Sequence, residues 1–147
     1  MTRQKIYIAA PLFSQGERAF NERVDAVLRA LGHETFLPQR DGGCVADLPE
    51  IIEGVPKRQY LFRMDCAHMD WCDTLLFVMD GRVPDEGACF ELGYAYAKSK
   101  RCIGYKTDVR SFIGGYDNVM LCGAPERVLR SEEELRNFFG GEDHAGC

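Results

Sequence analysis

Hydrophobic and polar positions along the chain fall into two alternating rhythms. Short apolar runs read as strands: Lys5-Ile6-Tyr7-Ile8-Ala9-Ala10, residues 34–37 closed by Pro38, residues 73–79, and Arg101-Cys102-Ile103-Gly104-Tyr105. Helical spacing fills the gaps. Residues 17–31 put Phe20, Val24, Val27, Leu28 and Leu31 on one face, with Gly32 at the stop. Residues 57–71 place Tyr60, Leu61, Met64, Ala67 and His68 at helical intervals. A further helix starts at Pro84-Asp85 and ends at Ser99-Lys100. Asn118-Val119-Met120-Leu121 predicts a short fifth strand. Ser131, with Glu134 three residues on, is a capping box opening a last helix. Strands alternating with helices predict an α/β fold with parallel strands and right-handed crossovers.

No repeat or domain boundary interrupts this pattern. It predicts one domain over residues 1–140 and a frayed tail over residues 141–147. Residues 106–116 form a polar, glycine-rich link. Residues 39–56, with Gly42, Gly43, Pro49 and Gly54, read as a long loop, either a lid or binding loop or a disordered stretch.

One helix departs from the pattern. Between Gly87 and Ala97 every residue is apolar, small or aromatic except Glu91. Such a helix is expected to be buried on nearly all sides. The positions one turn away from Glu91 are Gly87, Ala88, Tyr94 and Ala95, and none is basic. A buried carboxylate without a partner is costly, so Glu91 is either paired from elsewhere in the chain or used chemically. The strand before it ends where open α/β sheets place their ligands.

Composition narrows the choice. The chain has 147 residues, 46% of them apolar, and a net charge of −5 without a basic stripe. Nucleic acid and anionic membranes are therefore excluded as expected partners. No apolar run is long enough to span a bilayer, and the N-terminus has no signal-peptide pattern. The seven cysteines are odd in number and form no CxxC pair. They predict reduced thiols in a cytoplasmic protein, neither a disulfide frame nor a zinc site. The segment Ala9-Ala10-Pro11-Leu12 lacks both GxGxxG and GxxxxGK[ST], which disfavours a dinucleotide or P-loop site.

Several stretches together resemble the nucleoside 2-deoxyribosyltransferase family. They are Ile6-Tyr7-Ile8-Ala9-Ala10-Pro11 with Phe13; Arg63-Met64-Asp65; Asp73 opening a strand; Asp80-Gly81 followed by Pro84-Asp85-Glu86-Gly87-Ala88-Cys89-Phe90-Glu91-Leu92-Gly93-Tyr94-Ala95; and Asn118-Val119-Met120. The D-x-G-x-x-x-E-x-G-x-A element is the specific one, and the loop at 39–56 and the tail have no counterpart. The resemblance implies a single-domain flavodoxin-like or Rossmann-like three-layer sandwich with a mostly parallel sheet of about five strands. It implies transfer of a deoxyribosyl group from a 2′-deoxynucleoside to a free nucleobase, or to water, without metal or cofactor.

By the same resemblance Glu91 is the nucleophile, Tyr7 orients it, and Asp65 and Asp85 are the other carboxylates of the site. Phe13 and Met120 would line the base pocket, with Ala9 and Gly87 as small residues against the substrate. Asn118 would reach into a neighbouring subunit to bind the 5′-hydroxyl, which implies a homo-oligomer of two or more chains. Each residue also has an ordinary explanation. Tyr7 could face solvent or a partner helix, Asp65 could be a solvated helix residue, Asp85 an N-cap, Asn118 a turn residue and Met120 core. The apolar helix could likewise find cover on both faces within one chain. Rival functions are an N-glycosidase on the same fold, acting on a deoxynucleoside or deoxynucleotide, and a non-catalytic sensor of nucleosides or nucleotides. The scarcity of hydroxyl residues after the first strand, with Ser14 alone, favours a free nucleoside over a nucleotide.

Overall fold

A computed structural model describes residues 2–43 and 45–141, and in it the apolar runs close into a five-stranded sheet. The elements in chain order are β1 (Lys5–Ala9), α1 (Gln15–Ala30), β2 (Glu34–Phe36), α2 (Pro38–Asp41), β3 (Ile51–Ile52), β4 (Val55–Pro56), α3 (Lys57–Trp71), β5 (Thr74–Val78), α4 (Glu86–Ala97), β6 (Arg101–Tyr105), α5 (Val119–Gly123), β7 (Arg127–Leu129) and α6 (Glu132–Gly140). The sheet runs β2-β1-β5-β6-β7, and every neighbouring pair is parallel. Counting the five sheet strands alone, this is the doubly wound order 2-1-3-4-5. The order reverses between β1 and β5, so a crevice opens above their carboxyl ends. The α/β, flavodoxin-like expectation holds.

The period-2 alternation of β1 sorts its residues between two cores. Ile6 and Ile8 face one side, with Val24 and Leu28 of α1 and Leu135 and Phe139 of α6. Tyr7 and Ala9 face the other, with Met69 of α3 and Leu92 and Ala95 of α4. All five residues of β5 are buried, which explains the unbroken apolar run Thr74 to Val78.

Several elements differ from expectation. Helix α1 begins two residues early because Ser14 and Glu17 form a reciprocal capping box, with Glu17 N–H donating to Ser14 Oγ at 3.1 Å and Ser14 N–H to Glu17 Oε2 at 2.7 Å. At α6 only half of that motif forms. Ser131 accepts from Glu134 N–H, while the Glu134 carboxylate takes the Arg130 N–H. The expected strand at Asn118–Leu121 is instead the start of α5, because Asn118 Oδ1 accepts from Met120 N–H at 2.9 Å and nucleates a helical turn. The fifth strand is β7, paired to β6. The stretch 39–56 is not one irregular loop: α2 and the β3–β4 hairpin lie within it, while Cys44 lies outside the described residues. The tail expected from residue 141 falls, past Gly141, outside them as well. Helix α3 is mostly half-buried, with Met69 its one fully buried residue. Helix α4 buries only Ala88, Leu92 and Ala95, and leaves Phe90 and Tyr96 53% and 61% exposed. Burial on nearly all sides is therefore not met within one chain, since α1 lies across the sheet and α3 covers only one flank. Five cysteines, Cys66, Cys72, Cys89, Cys102 and Cys122, are free thiols.

The loops after β5 and β6 are tied to each other. Asp80 accepts from the backbone of Thr107 and Asp108 and from the Thr107 hydroxyl, and Asp108 accepts from Gly81 N–H. Lys106 is buried, and its ammonium donates to Arg110 O at 2.6 Å and to the Asp117 carboxylate. The two ends of the link before α5 thus meet on one cation. Removing one member of such a pair strands a buried charge. Asp117→Ala should cost about 3 kcal/mol, and the double variant Lys106→Met/Asp117→Leu should recover most of it, as read from urea unfolding midpoints.

Candidate active site

Glu91 projects from the second turn of α4 toward β1 and α3. Three small or branched residues on the inward face, Ala88, Leu92 and Ala95, seat the helix closely on the sheet. Tyr7 is fully buried in β1, and its hydroxyl donates to Glu91 Oε1 at 2.8 Å. The one charge of α4 beyond its first residue is therefore satisfied across 84 residues of sequence by a neutral phenol rather than by a cation. Asp65 on α3 and Asp85 at the start of α4 contribute two more carboxyls whose charges act on Glu91. Asp85 is the N-cap of α4, its Oδ2 accepting from Ala88 N–H at 2.9 Å. A Cβ on Gly87 would lie 3.1 Å from that same oxygen, so the glycine keeps the cap uncrowded.

Two of these acids, Glu91 and Asp65, are held above their ordinary range. Burial pushes the Glu91 carboxyl up to about 8; the Tyr7 hydrogen bond pulls it down, and the charges of Asp65 and Asp85 raise it further. Burial pushes Asp65 up to about 6, and the neighbouring His68 pulls it back. Burial, and then the charges of Glu91 and Asp65, hold the Tyr7 hydroxyl far above its usual range, so it stays a donor. The charge of Asp65 acts on Glu91, so the two protonations are linked and form one carboxyl set. Near neutral pH the set retains a proton beside a carboxyl able to ionise, the combination that acid-assisted nucleophilic displacement requires.

The structure thus brings together Tyr7, Glu91, Asp65 and Asp85, with Ala9 buried on the same sheet face as Tyr7. Three further expected residues, Phe13, Asn118 and Met120, are exposed. Phe13, in the loop between β1 and α1, is 76% exposed, its N–H bound to the Glu17 carboxylate. Asn118 and Met120 line a cavity of about 450 Å³ with Val83, Pro84, Cys89 and Phe112, and neither Glu91 nor Tyr7 lines it. Two neighbours escaped sequence reasoning. Phe36 stacks on Tyr7 with ring centroids 5.1 Å apart, and His68 stacks on Phe36 at 3.8 Å. His68 registered only as one more position of helical spacing, and nothing in the sequence separates it from core.

Comparison with known proteins bears on the family and the fold. A family model described as nucleoside 2-deoxyribosyltransferase matches residues 6–138. No curated protein matches the chain significantly. Among solved structures, a conserved protein from Enterococcus faecalis V583 is 25% identical, with a TM-score of 0.80 over 96% of this chain and 99% of that one. A 2-deoxyribosyltransferase from Bacillus psychrosaccharolyticus is 27% identical, with a TM-score of 0.73 over 90% of both chains. The CMP N-glycosidase of Clostridium botulinum shares the fold at 16% identity and a TM-score of 0.58, covering 95% of this chain and 98% of that one.

The carboxyl set has a consequence for stability. Glu91 takes up its proton near pH 8 in the folded chain and near 4.5 when unfolded. The folded state therefore binds the extra proton in between. Its stabilisation is complete below about 4.5 and is lost as pH rises through about 8. Asp65 behaves likewise over a lower window, from 3.8 to about 6. Chemical denaturation from pH 5 to 9 should show wild-type stability falling by a few kcal/mol. Glu91→Gln should flatten the fall between about 6 and 8 and shrink it below 6 to the part that Asp65 alone contributes.

Proposed function

The chain belongs to the nucleoside 2-deoxyribosyltransferase family, and we propose that it breaks the N-glycosidic bond of a 2′-deoxynucleoside and passes the sugar to another nucleobase. The observation that carries this reading is the Tyr7–Glu91 pair, a carboxyl held by a phenol, flanked by two further acids at the carboxyl edge of the sheet. In the proposed cycle a proton of the carboxyl set passes to a ring nitrogen of the departing base. The C1′–N bond breaks, and the Glu91 carboxylate closes on C1′ to give a covalent deoxyribosyl ester. The developing cation is oxocarbenium-like, and an ionised carboxylate beneath it stabilises it. A second base then attacks C1′ through nitrogen, displaces Glu91 and returns its proton to the set. Tyr7 donates to the Glu91 oxygen not engaged with sugar and keeps the other in line. The dipole of α4, positive at its N-terminus, favours the anion. A 2-deoxy sugar suits the route because it lacks the 2′-hydroxyl that would destabilise the cation.

The exposed side of α4 supports a second part of the proposal: a homo-oligomer in which Asn118 and Met120 complete the site of a neighbouring chain. Phe90 and Tyr96 on α4 continue into Val119 and Met120 on α5, and all four side chains are more than half exposed. A contiguous apolar surface of this kind is what symmetric partners cover. The unpaired thiols of this chain fit a reducing, cytoplasmic setting.

Incubation with deoxyinosine and adenine, followed by chromatography, tests the activity. New deoxyadenosine is expected. Free hypoxanthine with deoxyribose would instead mean an N-glycosidase, and an unchanged mixture a sensor. Glu91→Ala should retain the fold and lose several powers of ten in rate, as expected of a missing covalent nucleophile; a tenth of wild-type activity in that variant would refute the assignment. For the shared site, separately inactive Glu91→Ala and Asn118→Ala chains should regain activity when mixed after mild dissociation. A fully active monomer by light scattering, or no recovery in verified mixed oligomers, would refute it.

A further inference from the structure

We infer that His68 is a positioning residue for the Tyr7–Glu91 pair: it completes a column of stacked rings that fixes where the Tyr7 hydroxyl points. The inference rests on the Glu91 chemistry proposed above. Tyr7 and Phe36 are paired across the parallel register of β1 and β2, and their rings stack at 5.1 Å and 28°. The His68 imidazole lies closer still to Phe36, at 3.8 Å and 19°, and Trp71 packs edge-on against it at 6.4 Å. His68 is itself clamped, with Nδ1 donating to Met64 O at 2.8 Å within α3. An unbroken series of contacts therefore runs from the α3 backbone through two rings to the phenol that holds Glu91.

The position suits an imidazole. His68 is half-buried at the mouth of a cavity of about 440 Å³ that Phe36 and Trp71 also line. A flat ring with a polar edge can stack on Phe36 while its rim stays wet. The charged groups around it are Asp65 one turn back on α3, Asp41 on α2 and Glu34 on β2, with Lys5 lying over the Trp71 ring. Removing the ring frees one side of Phe36, and through it the Tyr7 ring. A hydrogen bond weakens steeply with misalignment, so the loss is felt at Glu91, which His68 does not touch.

The test compares His68→Ala and His68→Phe with wild type, folding being verified by circular dichroism. His68→Leu serves as the ringless variant if the alanine chain does not fold. The first readout is deoxyribosyl transfer from deoxyinosine to adenine. The ringless variant should lose about ten-fold or more in kcat with little change in KM, and the phenylalanine variant should recover most of it. The second readout is independent of turnover: the Glu91 carboxyl titration followed by ¹³C NMR. Tyr7 favours the ionised form, so the ringless variant should move the midpoint upward by about half a unit or more, toward the value in Tyr7→Phe, while His68→Phe stays near wild type. Unchanged kcat and midpoint in the ringless variant, or a phenylalanine variant as impaired as the ringless one, would overturn the role. A wild-type chain inactive on deoxynucleosides would refute the proposed chemistry, and the titration alone would then decide for or against His68.

Discussion

A phenol and a carboxyl share one hydrogen bond across the seam between the sheet and its covering helix, and the geometry of the site depends on it. Glu91 stands in an apolar helix where an unsatisfied carboxyl would be costly. The partner has to come from the strand beneath, and period-2 alternation allows only every second residue of β1 to reach it. A slip of one residue in β1 would present Ile6 or Ile8 to α4 and send Tyr7 into the α1 side of the core. Register, helix placement and the state of Glu91 are therefore one constraint. β1 is well suited to bear it, because strands pair with it on both sides. A site anchored on such an element is held more tightly than one carried by loops.

The same bond explains why the partner is a tyrosine rather than a lysine or arginine. A cation at that place would favour the ionised form of Glu91 far more strongly than a phenol does. The phenol, itself held far from ionisation, stabilises the carboxylate only in part. Burial and the neighbouring acids push in the opposite direction, and the balance lands near neutrality. Opposed influences of comparable size are how a carboxyl comes to act on both sides of a proton transfer at one pH.

Much of this was legible in the residues, and the rest was hidden for physical reasons. A charge alone in an apolar stretch stands out in any sequence, so Glu91 was identifiable from the pattern itself, while Tyr7 as its partner came from the resemblance alone. The bounds of α3 and β6 followed from periodicity and agree with the structure. The strand β7 did not, because Arg127-Val128-Leu129 is only three residues long, too short to show a period. Asn118-Val119-Met120-Leu121 looked like a strand because its apolar residues are consecutive. The Asn118 cap, a local hydrogen bond, decided for helix. His68 and Phe36 lay beyond reach for another reason. Stacking depends on which rings the fold superposes, and neither spacing nor composition encodes that.

The glycines of α4 sharpen the argument about its outer side. Gly93 sits in mid-helix, with negative φ and no atom near enough to meet a Cβ. Relative to alanine, glycine there costs about 0.5–1 kcal/mol, and none of the described residues comes close enough to require it. The same side of the helix carries Phe90 and Tyr96, aromatics that stay more than half exposed although Phe90 packs on Phe62 and Tyr94. Small and large residues alternating on an exposed face make a surface of ridges and hollows, suited to a second surface rather than to water. The inner face is small and tight so that Glu91 reaches Tyr7. The helix carries apolar residues around its circumference, and the one charge beyond its first residue stands at the border of the buried face, half-buried. That border is where a carboxyl can be desolvated enough to keep a proton and open enough to meet a substrate.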